Sequence, residues 1–279
     1  MKGGISCLNF TWVYGLSFLA GALITCLLLP SLLRLIEGAG FLRPNYRGNA
    51  IPAAAGLIFF LVSPVIAGIY VLFFDDRTNA LVFLSTVAAF TCLGLIDDVW
   101  GSRDTGGLAG HLRALCSGRL TTGALKALAG LVIAILVSAM IGSWQWIPLN
   151  ALVITLSANA INLLDLRPGR AEKGFILLAL VFLVLGWSRG ELLFLIALLG
   201  SLVMYSKTDL KARAMMGDAG SNPLGAVLGI SAVWIMNELF LLIYLLLLIL
   251  FHLLTEKYSL TRIIAGNRVL DYLDRLGRG

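Results

Sequence analysis

Charged residues are scarce in this chain. Asp, Glu, Lys and Arg make up 13% of its 279 residues, against 59% hydrophobic, where soluble domains usually carry roughly 25% charged residues. That shortage excludes a soluble globular domain and predicts an all-α polytopic membrane protein. The net charge of +6 does not point to nucleic acid, because the basic residues are dispersed between apolar segments rather than gathered on one domain. Histidine is limited to His111 and His252, and Cys7, Cys26, Cys92 and Cys116 have neither metal-type nor redox-type spacing. All four cysteines are read as structural. An internal repeat is lacking, which argues against an inverted-repeat transporter. The first apolar run is preceded only by Lys2 and followed by Arg34, Arg43 and Arg47 rather than a small-residue cleavage site, so a retained helix is expected and not a signal peptide.

What the chain does have is long apolar runs. Nine candidate spans cover residues 10–29, 53–74, 80–96, 125–141, 146–164, 174–187, 192–205, 224–236 and 239–254. The sixth and eighth are among those that fall short of the roughly 17 residues a straight crossing needs, and tilt, local thinning or partial re-entry would each accommodate them. With the N-terminus outside and the C-terminus inside, every Lys and Arg except Lys2, Arg77 and Arg189 falls on the inner side. This is the asymmetry expected of cytoplasmic loops. The outer links are short and the inner ones long, and long connections are where function concentrates. Residues 1–254 then form a single transmembrane helical domain with catalytic cytoplasmic loops. Residues 255–279 form an amphipathic cytoplasmic tail, broken at Gly266 and Asn267 and expected to lie on the membrane surface.

Three acidic clusters stand at the inner ends of these runs. Asp97 and Asp98 close the third, and two adjacent carboxylates at a membrane boundary call for a cation or a basic partner unless they are simply a solvated helix end. Asn159, Asn162 and Asp165 are spaced by three residues on one helix face, which fits either a polar site or interhelical hydrogen bonding. Asp218 sits in a glycine-rich stretch, expected as a loop, in which Gly217 and Gly220 permit close backbone approach and Ser221 offers a hydroxyl. A capped turn is the alternative there. The topology puts all three clusters on one face, together with Lys126, Arg167 and Arg170 as candidate phosphate ligands and His111 in the same acidic-cluster loop system. A magnesium-bound phosphate would suit carboxylates and backbone amides together, so the parts fit phosphoryl transfer at a membrane surface. A lipid transporter or flippase would instead place ionisable residues near mid-span.

The sequences Leu95-Ile96-Asp97-Asp98-Val99-Trp100-Gly101, Asn159-Ala160-Ile161-Asn162-Leu163-Leu164-Asp165 and Met216-Gly217-Asp218-Ala219-Gly220-Ser221-Asn222-Pro223-Leu224-Gly225 together resemble the polyprenyl-phosphate N-acetylhexosamine-1-phosphate transferases. These form glycosyltransferase family 4, which includes the enzyme that attaches phospho-MurNAc-pentapeptide to undecaprenyl phosphate. The resemblance implies transfer of a sugar 1-phosphate from a UDP-sugar to a polyprenyl phosphate at the inner cell membrane, with Mg²⁺ required, Mn²⁺ a substitute to test, and UMP released. It assigns Asp97, Asp98 and Asp165 catalytic roles, Asp218 a metal-ligand role, and Lys126 a phosphate contact. Asn159, Asn162, Arg167, Arg170, Gly220, Ser221 and His111 are expected to bind substrate. The partners implied are the lipid phosphate, the UDP-sugar and the membrane, with no nucleic acid; a homodimer stays open. Two departures mark a divergent member. Pro168 stands where the family's central motif has a second aspartate, and the histidine-rich last cytoplasmic loop is missing. A catalytically inactive relative is therefore the rival reading, beside the lipid transporter.

Overall fold

The computed structural model describes residues 7–101, 110, 114 and 117–278. Helix α1 (Cys7–Gly38) leads into two short strands, β1 (Leu42–Pro44) and β2 (Ala50–Pro52), and then α2 (Leu57–Phe74) and α3 (Arg77–Trp100). After these come α4 (Thr122–Ile141), a 3₁₀ turn (Trp144–Trp146), α5 (Ile147–Leu164), α6 (Arg170–Leu185), α7 (Leu192–Leu210), α8 (Asp218–Ile235) and α9 (Glu238–Lys257). Two short helices, α10 (Leu260–Gly266) and α11 (Arg268–Arg275), close the chain. Each apolar run expected to span is helical. Among the described residues seven helices are long and apolar enough to cross a membrane, and α6 and α8 are the two that fall short. Large apolar side chains such as Leu72, 84% exposed, and Val184, 81% exposed, face outward. A bundle with an apolar exterior is a multi-pass membrane protein, because lipid and not water solvates those faces.

Local signals start the helices where a cap is present. Asp76, Thr121 and Asn237 accept the amides of Asn79, Ala124 and Phe240 at the starts of α3, α4 and α9, satisfying donors that a helix N-terminus leaves unpaired. One end of the bundle is tied together by Phe10 stacked on Phe74, Tyr14 edge-on to Trp187, and the Tyr14 hydroxyl donating to the Arg189 carbonyl. These are the turns expected outside. The acidic clusters gather at the opposite end.

Helix α8 is the axis of the packing. Every residue from Ala219 to Ala232 is buried, and α8 lies against α3 on one side and α5 on the other. Glycine permits this closeness: a Cβ on Gly94 would run into the Asp218 carbonyl, and one on Gly225 into the Ser157 carbonyl. Backbones that approach so closely gain dispersion and need small residues at the seam.

Two expectations are corrected here. The stretch from Asp218 onward is helix and not loop, since its first amides are capped by a neighbouring helix, as described below. The tail is a helix pair, but Asp274 of α11 is buried and bonded to α6, so α11 docks on the protein and does not simply rest on a membrane surface. The β1–β2 hairpin, paired antiparallel with Arg43 opposite Ile51, has no counterpart in the sequence reading. Three-residue strands are too short to leave a period-2 pattern.

Candidate active site

The acidic end of the bundle contains a cavity of 590 Å³. Its walls come from α3 (Asp97, Asp98), the segment after α5 (Asp165, Arg167), the end of α7 (Asp209), the start of α8 (Asp218) and the hairpin (Arg43, Tyr46). The hairpin is held over the cavity by backbone bonds, with Met215 N–H donating to Pro52 and the amides of Ala55 and Gly56 donating to Met215 and Met216.

Three helices supply the polar centre. The Lys126 ammonium of α4 donates to Asp97 Oδ2 of α3 at 3.2 Å and to Asp218 Oδ2 of α8. One cation between two half-buried carboxylates removes much of the repulsion that would otherwise oppose bringing α3 and α8 together. Asp98 acts differently. Its two carboxylate oxygens accept the N–H groups of Asp218 and Ala219 at 3.0 and 2.9 Å, which makes Asp98 the N-terminal cap of α8 supplied from another helix. Gly217 is required at this junction: its φ is +71°, and a Cβ there would meet the Asp98 carboxylate at 2.6 Å. Asn162 extends the network by donating to Ser221 Oγ at 3.1 Å, and Ser221 donates to the Gly217 carbonyl at 3.1 Å.

Asp165 caps the end of α5 and faces the cavity. Burial pushes its carboxyl well above the usual carboxylate range, and the charges of Asp209, Asp218, Asp98 and Glu172 push it the same way. Arg167 lies over the Tyr46 ring at 5.1 Å, and Arg47 is also 5.1 Å from that ring, so the hairpin and the post-α5 segment meet at the cavity mouth.

This site lies inside a recognisable family segment, for a model of glycosyl transferase family 4 matches residues 80–236, more than half of the chain and all of α3 to α8 apart from the first residues of α3. The chain belongs to glycosyl transferase family 4. It is similar to a phospho-N-acetylmuramoyl-pentapeptide-transferase of Clostridium botulinum (strain Alaska E43 / Type E3), 27% identical over 210 residues, covering 71% of this chain and 64% of that protein. Proteins of the same name from Acetivibrio thermocellus, 26% identical over 255 residues with 83% and 75% covered, and Desulforudis audaxviator, 28% identical over 259 residues with 82% and 77% covered, are similar as well. The chain thus spans a little under two thirds of the length of the first of these relatives.

For this family 4 protein the structure brings Asp97, Asp98, Asp165, Arg167 and Asp218 to one cavity, with Lys126 bonded behind it. Asn162, Gly220 and Ser221 lie one layer deeper, and Asn159 is half-buried along α5 away from the cavity walls. Arg170 is not brought there. It is buried and engaged in a two-pronged pair with Asp274, at 2.8 and 2.9 Å, and a guanidinium so committed is not available to a phosphate. His111 lies outside the described residues. Asp209 was not anticipated: it lines the cavity and accepts the Gly169 N–H at 2.5 Å. A single carboxylate in the last turn of an apolar helix, between Lys207 and Lys211, was the only signal for it.

Among the described residues no three His, Cys, Asp or Glu side chains converge in a metal-binding arrangement. The donor chemistry nonetheless fits magnesium, which favours oxygen ligands and takes only one or two protein carboxylates, the rest being water and substrate phosphate. Asp218 with Asp97 beside it meets that requirement.

Proposed function

We propose that this protein transfers a sugar 1-phosphate from a UDP-sugar to a polyprenyl phosphate at the cytoplasmic face of the inner membrane, releasing UMP. The observation that carries the reading is the Asp97–Lys126–Asp218 cluster, drawn from three helices and opening into a cavity roofed by arginines. Membership of the family and the names of the relatives support the same reaction class.

The reaction is an in-line displacement. A lipid phosphate oxygen forms a bond to the sugar-linked phosphorus of the donor, the bond from that phosphorus to the bridging oxygen breaks, and UMP leaves with that electron pair. The chain's own residues mainly position and neutralise. Arg43 and Arg167 at the mouth would take the donor's diphosphate oxygens. Lys126 keeps Asp97 and Asp218 charged and close. Asp98, whose oxygens already hold two amides, fixes the start of α8 and so the position of Asp218; this is a more structural part than deprotonating the acceptor. Asp218 and Asp97 would hold Mg²⁺, which supplies charge neutralisation on the diphosphate when bound.

The deciding experiment combines purified protein, undecaprenyl phosphate, Mg²⁺ and a panel of UDP-sugars, and measures UMP. Release is expected with at least one donor and only when the lipid phosphate is present. No UMP with any donor, from a preparation shown to be folded, would sink the reading. A second reading, a catalytically silent relative, is favoured by Pro168 in place of an aspartate, and the same assay separates the two.

A further inference from the structure

The C-terminal helix is fastened to the cavity wall by charges that the reaction itself does not use. The buried Asp274 carboxylate of α11 accepts two forked guanidiniums at once. Arg170, at the start of α6, donates at 2.8 and 2.9 Å, and Arg278 donates at 2.9 and 3.0 Å. Arg278 has a third bond, from Nε to the Pro168 carbonyl at 2.8 Å. Lys173 donates to the Asp274 carbonyl at 2.8 Å, and Arg170 also reaches Thr261 of α10 at 3.2 Å. From the other side, Asp209 holds the Gly169 amide.

The segment between these anchors is residues 166–169, and it carries Arg167 on the cavity wall against Tyr46. Its backbone bonds run to residues outside it, from Leu166 N–H to the Leu164 carbonyl and from the Arg170 and Lys173 amides to the Arg167 and Gly169 carbonyls, while Gly169 has a positive φ of 75° and Pro168 has no N–H to offer. A loop with so few internal bonds takes its conformation from whatever grips its ends. Forked Arg–carboxylate pairs fix direction as well as distance, so a doubly forked carboxylate is a stiff anchor.

We propose that Asp274 and Arg278 are positioning residues of the cavity, the C-terminal helix acting as a strap that holds residues 166–169 so that Arg167 meets the donor's phosphates beside Tyr46. The assignment rests on the transferase reading above. Arg278 reaches the loop through the Pro168 carbonyl, a bond that needs no side chain at that position. The strap accounts for the burial of Asp274 in a tail whose other residues are mostly exposed.

The test uses the full chain in detergent or nanodiscs, with Arg278→Met and Asp274→Asn as the variants and Arg278→Lys as the conservative one. Arg278→Met leaves the Arg170–Asp274 pair intact, so it stays informative if Asp274→Asn, which strands a buried guanidinium, does not fold. A loosened Arg167 lowers ground-state and transition-state binding alike, so KM for the UDP-sugar should rise about tenfold with kcat within about twofold, and Arg278→Lys should recover part of the loss. In parallel, amide hydrogen exchange of residues 166–170 should quicken about tenfold or more in Arg278→Met. A KM at the wild-type value, or a fall in kcat with KM unchanged, overturns the proposal. Should the wild-type protein release no UMP, the transferase reading fails on its own. The exchange measurement then still decides the strap, and unchanged protection of residues 166–170 overturns it.

Discussion

Lys126 is the residue on which the site turns. Among the described residues it is the side chain that pairs with both Asp97 and Asp218, so its removal leaves two facing carboxylates without their ammonium. Lys126→Met is expected to lower UMP release at least about a hundredfold, and Lys126→Arg to rescue it poorly, because a planar fork cannot replace a point charge in that gap. Asp218→Asn should fall by a similar factor if that carboxylate holds the metal. Asp98→Asn separates anchoring from chemistry. An amide keeps one acceptor but points N–H groups at an amide donor, so apparent stability should drop by about 1–3 kcal/mol, read as a lower unfolding temperature alongside the loss of activity. The sequence placed Asp97, Asp98, Asp165 and Asp218 together through loop parity alone, and the cavity contains all four. It could not show that Asp98 faces two amides, because a carboxylate's partners depend on helix packing and leave no mark in composition.

At the scale of elements, the seams of α8 decide the geometry. Gly94→Ala would push α3 away from Asp218, and Gly225→Ala would push α5 from α8; each should cost about 1–3 kcal/mol by overpacking. The distinction lies in activity. Gly94→Ala moves the Lys126 bridge and should abolish turnover in protein that still folds, whereas Gly225→Ala, deeper in the bundle, should lower thermal stability first. The helices themselves were legible from apolar runs, including the two short ones. Their ends were less so, for α8 begins at Asp218 and not near Leu224, since its cap comes from α3 and no local capping residue announces it. Arg170 illustrates the same limit: its basic charge next to Asp165 reads as a phosphate ligand, yet its partner lies 104 positions away.

For the whole molecule, sidedness and the tail carry the remaining predictions. Single cysteines introduced at Glu37 and at Arg77 in a background with Cys7, Cys26, Cys92 and Cys116 replaced by serine, labelled in intact cells with a membrane-impermeant thiol reagent, should differ: labelling at position 77 only is expected, and the reverse pattern would overturn the orientation. Docking of the tail should depend on acid. Burial alone would raise the Asp274 carboxyl, but hydrogen bonds from Arg170 and Arg278 outweigh it and lower it from 3.8 to about 2. A depressed carboxylate contributes stability above its ordinary value and loses it as pH falls through its folded one. The strap should therefore resist pepsin near about pH 4 and become cleavable near about pH 2, while Asp274→Asn is cleavable at both. The amphipathic pattern of the tail was plain in the sequence. Its docking was not, because one buried aspartate among exposed charges looks no different on paper.

The buried glycine seams of α8 also bear on how such a protein changes over generations. Every residue of α8 from Ala219 to Ala232 is buried, so substitutions there are expected to disturb the packing that sets the acidic centre. The hairpin hangs on backbone bonds to Met215 and Met216, and residues 166–169 are gripped at Gly169 by Asp209 and at the Pro168 carbonyl by Arg278, so the side chains these two segments turn to the cavity lie outside the packed seams. Altered donor preference, whether by natural drift or by directed evolution, is then to be sought in libraries confined to Arg43, Tyr46, Arg47, Arg167 and Pro168, with the helices left untouched.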